Sequence, residues 1–282
     1  MTGGYMAPRI ALVTPASLRR QNGDSLRPLR QALGLWANNY RNFVVYTPEP
    51  APDLPFDQRL VRVTGPARII HPFDTSEYCI VHAHQNAGLF LDGRIWMDVH
   101  GLATLESRLA WRRFPWSLRA LLFMGFSQWA VSRQLSRAER VICASVSIEA
   151  NLRHEYPHVR RTDVIRNCVD PDQWDRLPGE LPVVAVIGGF TSRWGRAAFK
   201  MALRVAELTP GVSFKFIGAV SASQQGDTSS ISGISLTGEV GDEAYIDALS
   251  ECSVILLPYP AWCSGGGCRQ KLMQAAAMRL AI

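Results

Sequence analysis

Val254-Ile-Leu-Leu-Pro258, followed a few residues later by Ser264-Gly-Gly-Gly-Cys-Arg-Gln-Lys-Leu-Met-Gln-Ala-Ala-Ala-Met278, is the stretch whose reading decides the fold. The continuous apolar run reads as a buried parallel strand. Gly265, Gly266 and Gly267 interrupt the chain, and the segment from about Arg269 to Met278 has helical composition. Strand, glycine turn and helix in that order make an anion site. Glycines let backbone N–H groups approach a ligand closely, and a helix start adds unpaired donors and partial positive charge. Arg269 and Lys271 fall in the first turn, against the usual preference for acidic side chains there, so their charge suits a bound phosphate. A glycine cap or flexible turn with solvated basic residues is the plainer alternative.

Outward from this stretch, short β-rich runs recur: Ile10 to Val13, Phe43 to Tyr46, Cys79 to Val81, Ile95 to Val99 and Val141 to Cys143. Longer segments of helical composition separate them, which predicts a parallel α/β sheet. A second series begins at Val183-Val-Ala-Val-Ile187 and continues through Val212 to Ile217, Ile234 to Leu236 and Val254 to Leu257. Between the series, Pro171 to Pro182 has linker composition. The prediction is two Rossmann-like α/β domains, residues 1–177 and 178–282, with the active site in the cleft between them. Leu280-Ala-Ile282 enters a further apolar strand, so the second domain is expected to be incomplete.

The 282 residues are enough for two cores, and 47% hydrophobic with 19% charged residues excludes a disordered chain. The longest apolar patch, Ala120 to Val131, is interrupted by Gly125, Ser127 and Gln128 and is too short to span a bilayer. No secretory signal is visible at the N-terminus, which predicts a cytoplasmic protein. The six cysteines show no C-x-x-C spacing and read as reduced, mostly packed thiols. A net charge of +6 admits polyanionic partners. Nucleic acid is not expected, because no recognised binding fold accompanies the charge.

The Leu-Pro and Gly-Gly-Gly-Cys-Arg-Gln-Lys-Leu-Met-Gln-Ala-Ala-Ala-Met residues resemble the donor-site motif of retaining GT-B glycosyltransferases of the family 4 type, in the subgroup with a glycine-rich turn. Ala138-Glu-Arg-Val-Ile-Cys-Ala-Ser145 with Val164-Ile-Arg-Asn-Cys-Val-Asp170 is similar to that family's end of its first domain. Val186-Ile-Gly-Gly-Phe190 with Arg193-Trp-Gly195 is similar to the first strand and phosphate loop of its second domain. The resemblance implies transfer of a sugar from a nucleotide-sugar donor, with retention of configuration, to a glycan or lipid-linked acceptor in cell-envelope polysaccharide synthesis. It implies no cofactor, and no metal is expected if basic side chains and helix N-termini neutralise the pyrophosphate. Non-catalytic binding subunits and sugar-nucleotide epimerases of the same fold are the alternatives.

Residue by residue, the resemblance implies that Arg193, Gly265, Gly266, Gly267, Arg269 and Lys271 hold the donor. His100, in Asp98-Val-His100-Gly101, would touch the transferring sugar, with a structural histidine as the alternative. His100, Arg193 and Lys271 are thus the candidate catalytic residues. The family's paired acidic positions map onto Gly266 and Gln274, and an amide at 274 can still hydrogen-bond a ribose. His82 and His84, at i and i+2 on a strand, point to one face, but no third ligand completes a metal site. Ser107 to Arg140 interleaves Arg108, Arg112, Arg113, Arg119, Arg133 and Arg137 with Trp111, Phe114, Trp116, Leu121, Leu122, Phe123 and Trp129. Such a stretch suits the anionic inner face of a membrane, or packs its apolar sides into its own core.

Overall fold

The structure is a computed structural model. It describes residues 8–19, 23–65, 68–102, 104–105, 108, 118–167, 169, 171–176, 178–179, 182–258 and 270–282. The chain divides into two compact units, and the N-terminal segment of the first ends at Asn167.

In the first unit a seven-stranded sheet has the order β3-β2-β1-β6-β7-β8-β9. Its strands are β1 (Ile10–Val13), β2 (Phe43–Thr47), β3 (Gln58–Leu60), β6 (Ile80–His84), β7 (Ile95–Val99), β8 (Ala138–Cys143) and β9 (Thr162–Val164). Every pairing in it is parallel. The strands β4 (Val63–Thr64) and β5 (Ile69–Ile70) form a separate antiparallel pair. Helix α1 (Gly23–Ala37) follows β1, α2 (Leu118–Arg137) precedes β8, and α3 (Val146–Glu155) precedes β9. Ser145 caps α3 by accepting from the Ile148 backbone N–H at 3.1 Å, and Ile148 and Leu152 bury the inner face of that helix. Strand order reverses between β1 and β6, so the ligand crevice of such a sheet lies at the carboxyl ends near them.

The second unit has its own four-stranded parallel sheet, β12-β11-β10-β13. Its strands are β10 (Val183–Ile187), β11 (Ser213–Ile217), β12 (Ile234–Gly238) and β13 (Val254–Leu256). Helices α5 (Arg193–Leu208), α6 (Ala222–Thr228), α7 (Asp242–Ser250) and α8 (Gln270–Ala277) connect or follow them. Phe199, Ala202, Leu203 and Ala206 recur at helical spacing on α5 and pack on Phe190, Phe214 and Phe216. Ala281 pairs with β13 in parallel, as the apolar sequence after α8 predicts.

The stretch expected to be a linker is packed instead. Pro171–Trp174 forms the short helix α4, and Trp174 is buried in the second unit's core with Ala275, Met278 and Leu280. The Trp174 ring meets Tyr245 edge-on at 5.8 Å. Gly179 donates to the Cys252 carbonyl at 3.1 Å, where an added Cβ would stand 2.5 Å from the Glu251 oxygen. Burial of the indole, invisible in a proline-rich composition, places the change of unit before residue 171 rather than at 177.

Candidate functional site

Alternation along β6 turns His82 and His84 to one face, and their rings stack with centroids 5.0 Å apart. The register sets Asp98 of β7 opposite His84. On α1, Arg27 and Gln31 are four residues apart and emerge on the same side. Arg27 Nε donates to Asp98 Oδ1 and Gln31 Nε2 donates to Oδ2, both at 2.8 Å. His82 Nε2 lies 3.2 Å from Oδ2, and His100 Nε2 lies 3.2 Å from Oδ1. Four donors therefore meet a carboxylate whose exposure is 0%. Burial alone would raise the Asp98 pKa, but the hydrogen bonds from His100 and His82 hold it well below the usual carboxylate range.

An ionised carboxylate only accepts, so the ring nitrogens that face it carry protons. The network therefore assigns Nε2–H to both His82 and His100. His100 Nε2 also stands 3.0 Å from His84 Nδ1. The single His100 Nε2–H is shared between Asp98 Oδ1 and His84 Nδ1, so His84 Nδ1 accepts, and neutral His84 keeps its proton on Nε2. That atom is buried without a hydrogen-bond partner. Burial holds the His84 pKa well below its ordinary value of 6.5, against the opposing pull of Asp98.

The donor atoms of His82, His84 and Asp98 lie within 4.8 Å of one another, a spacing a divalent metal could bridge. Both Asp98 oxygens already accept from α1, and Arg27 supplies the compensating charge. A dication would be buried beside a guanidinium, so these residues fit a hydrogen-bond network better than a metal centre. Cys143 on β8 is pushed up to about 12 by burial and is a packed thiol at neutral pH.

In the second unit the chain leaves β10 through Gly188 and Gly189. Ser192 Oγ donates to the Gly189 carbonyl at 2.9 Å and accepts from the Gly195 backbone N–H at 2.9 Å, capping α5. Two glycines permit this turn. A Cβ on Gly195 would stand 2.0 Å from the Gly189 oxygen, and one on Gly218, whose φ is +133°, 1.9 Å from the Gly188 oxygen. The amino terminus of α5 thus stands against the carboxyl end of β10. Lys271, in the first turn of α8, donates its Nζ to the Ile187 carbonyl at 2.8 Å and brings its charge to the same strand end. Gln274 is buried and its Oε1 accepts from the Tyr245 hydroxyl at 3.2 Å.

The sequence profile of Glycosyltransferase Family 4 matches residues 20–173, just over half of the chain. The chain belongs to Glycosyltransferase Family 4. The family's activity is glycosyl transfer, and that is the class of this enzyme. No curated protein matches the chain. Among solved structures, sucrose-phosphate synthase of Thermosynechococcus elongatus superposes with a TM-score of 0.73 at 15% identity, covering 97% of this chain and 80% of that one. A glycosyltransferase of Rickettsia africae gives 0.63 at 13% identity over 98% and 78% of the two chains. The Anabaena protein HepE, solved with UDP-glucose, gives 0.63 at 14% identity over 96% and 79%. At these identities the likeness establishes the fold: two parallel α/β units of the GT-B kind.

Of the expected site residues in this family 4 chain, His100 lies in the Asp98 network and Lys271 at the end of β10. Gln274 is held by Tyr245. Arg193 opens α5, but its side chain lies outside the described residues, as do Gly265, Gly266, Gly267 and Arg269. Sequence reasoning passed over Arg27 and Gln31 and quoted Asp98 and Asn167 only as parts of motifs. The available signal was two long polar residues at i and i+4, which share one stripe of the helix.

The buried neutral His84 has a measurable consequence. Below its ordinary value of 6.5, the unfolded chain takes up a proton that the folded chain refuses, so stability falls as pH falls. Asp98 adds to the loss only below its ordinary 3.8. Urea unfolding between about pH 7 and pH 5 should show the wild-type chain losing up to about 1.4 kcal/mol more per pH unit than His84→Asn, which keeps an acceptor toward His100. Equal slopes in the two proteins would contradict the neutral buried ring.

Proposed function

We propose that the enzyme transfers a sugar from a nucleotide-sugar donor to a glycan or lipid-linked acceptor with retention of configuration. The observation that carries the donor half is the convergence, at the end of β10, of the capped start of α5 and the Lys271 ammonium. The positive end of a helix dipole and a lysine at one strand end match what a diphosphate requires. HepE, with the same fold, was solved with UDP-glucose, which supports this class of donor.

In this reading Lys271, with Arg193, Arg269 and the turn at Gly265, Gly266 and Gly267, stabilises the departing nucleoside diphosphate electrostatically. Gln274 would hydrogen-bond the donor ribose, and His100 of the first unit would contact the transferring sugar. No cofactor or metal takes part. Attack from the face that the leaving group departs gives retention without a covalent intermediate.

Calorimetry with UDP tests the donor site. Lys271→Ala and the uncharged Lys271→Gln should each weaken binding by about 1 to 3 kcal/mol. The same affinity in both variants and the wild type would reject the assignment. With UDP-glucose and a lipid-linked or glycan acceptor, proton NMR should show UDP release and a product with the donor's anomeric configuration. Binding without release would indicate a non-catalytic subunit, and a changed free sugar nucleotide an epimerase.

For a lipid-linked acceptor, the outer side of α2 supplies an anionic-membrane surface in the same proposal. Leu118 is 68% and Leu122 65% exposed, and Arg133 lines a groove with Trp129, Ser132 and Ser136. No helix among the described residues is long and apolar enough to cross a membrane, so the contact is peripheral. Trp111, Phe114 and Trp116, expected to share this surface, lie outside the described residues. Sedimentation with vesicles containing phosphatidylglycerol should show binding that weakens as salt rises, because exposed charges are screened within about 10 Å at 0.1 M. Equal binding to neutral vesicles, or none to either, would remove the membrane contact.

A further inference from the structure

Arg27 makes more contacts than an ordinary helix residue. Its Nε donates to Asp98 Oδ1 at 2.8 Å and its Nη1 donates to Asn167 Oδ1 at 3.0 Å. Asn167 ends the long N-terminal segment of the first unit. The side chain is only 6% exposed, so its charge is desolvated and matched by Asp98. A guanidinium can serve two acceptors in fixed directions, which a lysine ammonium on a flexible stem cannot do as well.

We propose that Arg27 is a positioning residue for glycosyl transfer: through Asp98 it fixes which nitrogen of His100 carries the proton, and through Asn167 it ties this network to the chain's exit from the first unit. The kinetic part of the proposal rests on His100 contacting the transferring sugar; the proton pattern does not.

The reasoning follows the protons. The groups around His100 are Arg27 from α1, His82 and His84 from β6, Asp98 from β7, and the neutral Cys143 thiol of β8 near Asp98. With Arg27 present, Asp98 stays an anion and His100 presents Nε2–H to it, which leaves the other ring nitrogen, Nδ1, as an acceptor. Without Arg27 the buried carboxylate has no permanent cation. Two reliefs are open. Asp98 can take a proton and donate it to a ring nitrogen, which drives the His100 proton to Nδ1. Otherwise a histidine becomes an imidazolium and supplies the missing charge. His100 and His82 both face the carboxylate at 3.2 Å, and we take the relief to fall on His100, whose Nε2 contacts the same Oδ1 that Arg27 releases; His100 then leaves its neutral Nε2–H form, and the first relief also reverses the hydrogen bond between His100 and His84.

Long-range nitrogen–proton NMR spectra of the full chain, labelled with nitrogen-15 histidine, read this pattern at neutral pH. The wild type should show His100 as the neutral Nε2–H form. Arg27→Lys, which keeps the charge, should retain it. Arg27→Met should lose it, as an Nδ1–H form or an imidazolium. UDP released from UDP-glucose supplies the second readout. In Arg27→Met, kcat should fall roughly 10- to 100-fold, the range for partners one step behind a reacting group, with little change in the donor KM.

A folded Arg27→Met protein with the wild-type His100 spectrum would overturn the proposal. Should that variant fail to fold, Arg27→Lys decides alone: a retained pattern supports the role of the charge and an altered one contradicts it. Undiminished UDP release in His100→Ala would remove the sugar contact while leaving the proton pattern as measured, so the two failures are separable.

Discussion

A carboxylate removed from water within a parallel sheet is destabilising by several kcal/mol unless a cation and hydrogen-bond donors replace its hydration. Asp98 is such a carboxylate, and much of the first unit's carboxyl edge is arranged around it. Arg27 and Gln31 approach from α1, and the rings of His82 and His100 complete its four donors. The register of β6 against β7 has to be the observed one, because a one-residue slip would turn His82 and His84 to the other face. The same charge dictates the proton positions on three histidines, so one buried ion pair orders chemistry that no single residue specifies.

The second unit handles charge differently. Its strand end holds no buried ion pair equivalent to that of Arg27 and Asp98 among the described residues. It offers backbone and helix dipole instead, with Ser192 capping α5 and close approaches that only glycine allows at Gly195 and Gly218. Lys271 bonds the carbonyl of Ile187, which brings its ammonium to this strand end. The first unit thus holds a desolvated, charged network, and the second a capped helix start and a lysine at a strand end.

Strands with continuous apolar runs, such as Ile10–Val13 and Val183–Ile187, were legible because burial on both faces leaves a mark in composition. The edge strands Gln58–Leu60 and Thr162–Val164 were not, since each has one neighbour and carries polar residues. The apolar run Cys79 to Val81 marked only the start of a strand that ends at His84, and the i, i+2 spacing of His82 and His84 supplied the rest. Lys271 was legible as a cation at a helix start. Arg27 and Gln31 were not, because a long polar residue on an amphipathic helix ordinarily points to water, and only tertiary packing shows that these two point inward. Trp174 escaped for a related reason: proline and aspartate surround it, and its burial depends on α7 and α8, distant in sequence.

Carbon-13 labelling of aspartate side-chain carboxyl carbons, with Asp98→Asn to assign the signal, tests the central claim most directly. The Asp98 carbon should keep the shift of an ionised carboxylate as the pH is lowered through the ordinary value of 3.8, until the protein unfolds. A shift typical of a protonated acid at neutral pH, or titration at or above the ordinary value, would contradict the ionised, Arg27-paired Asp98 on which the histidine assignments stand.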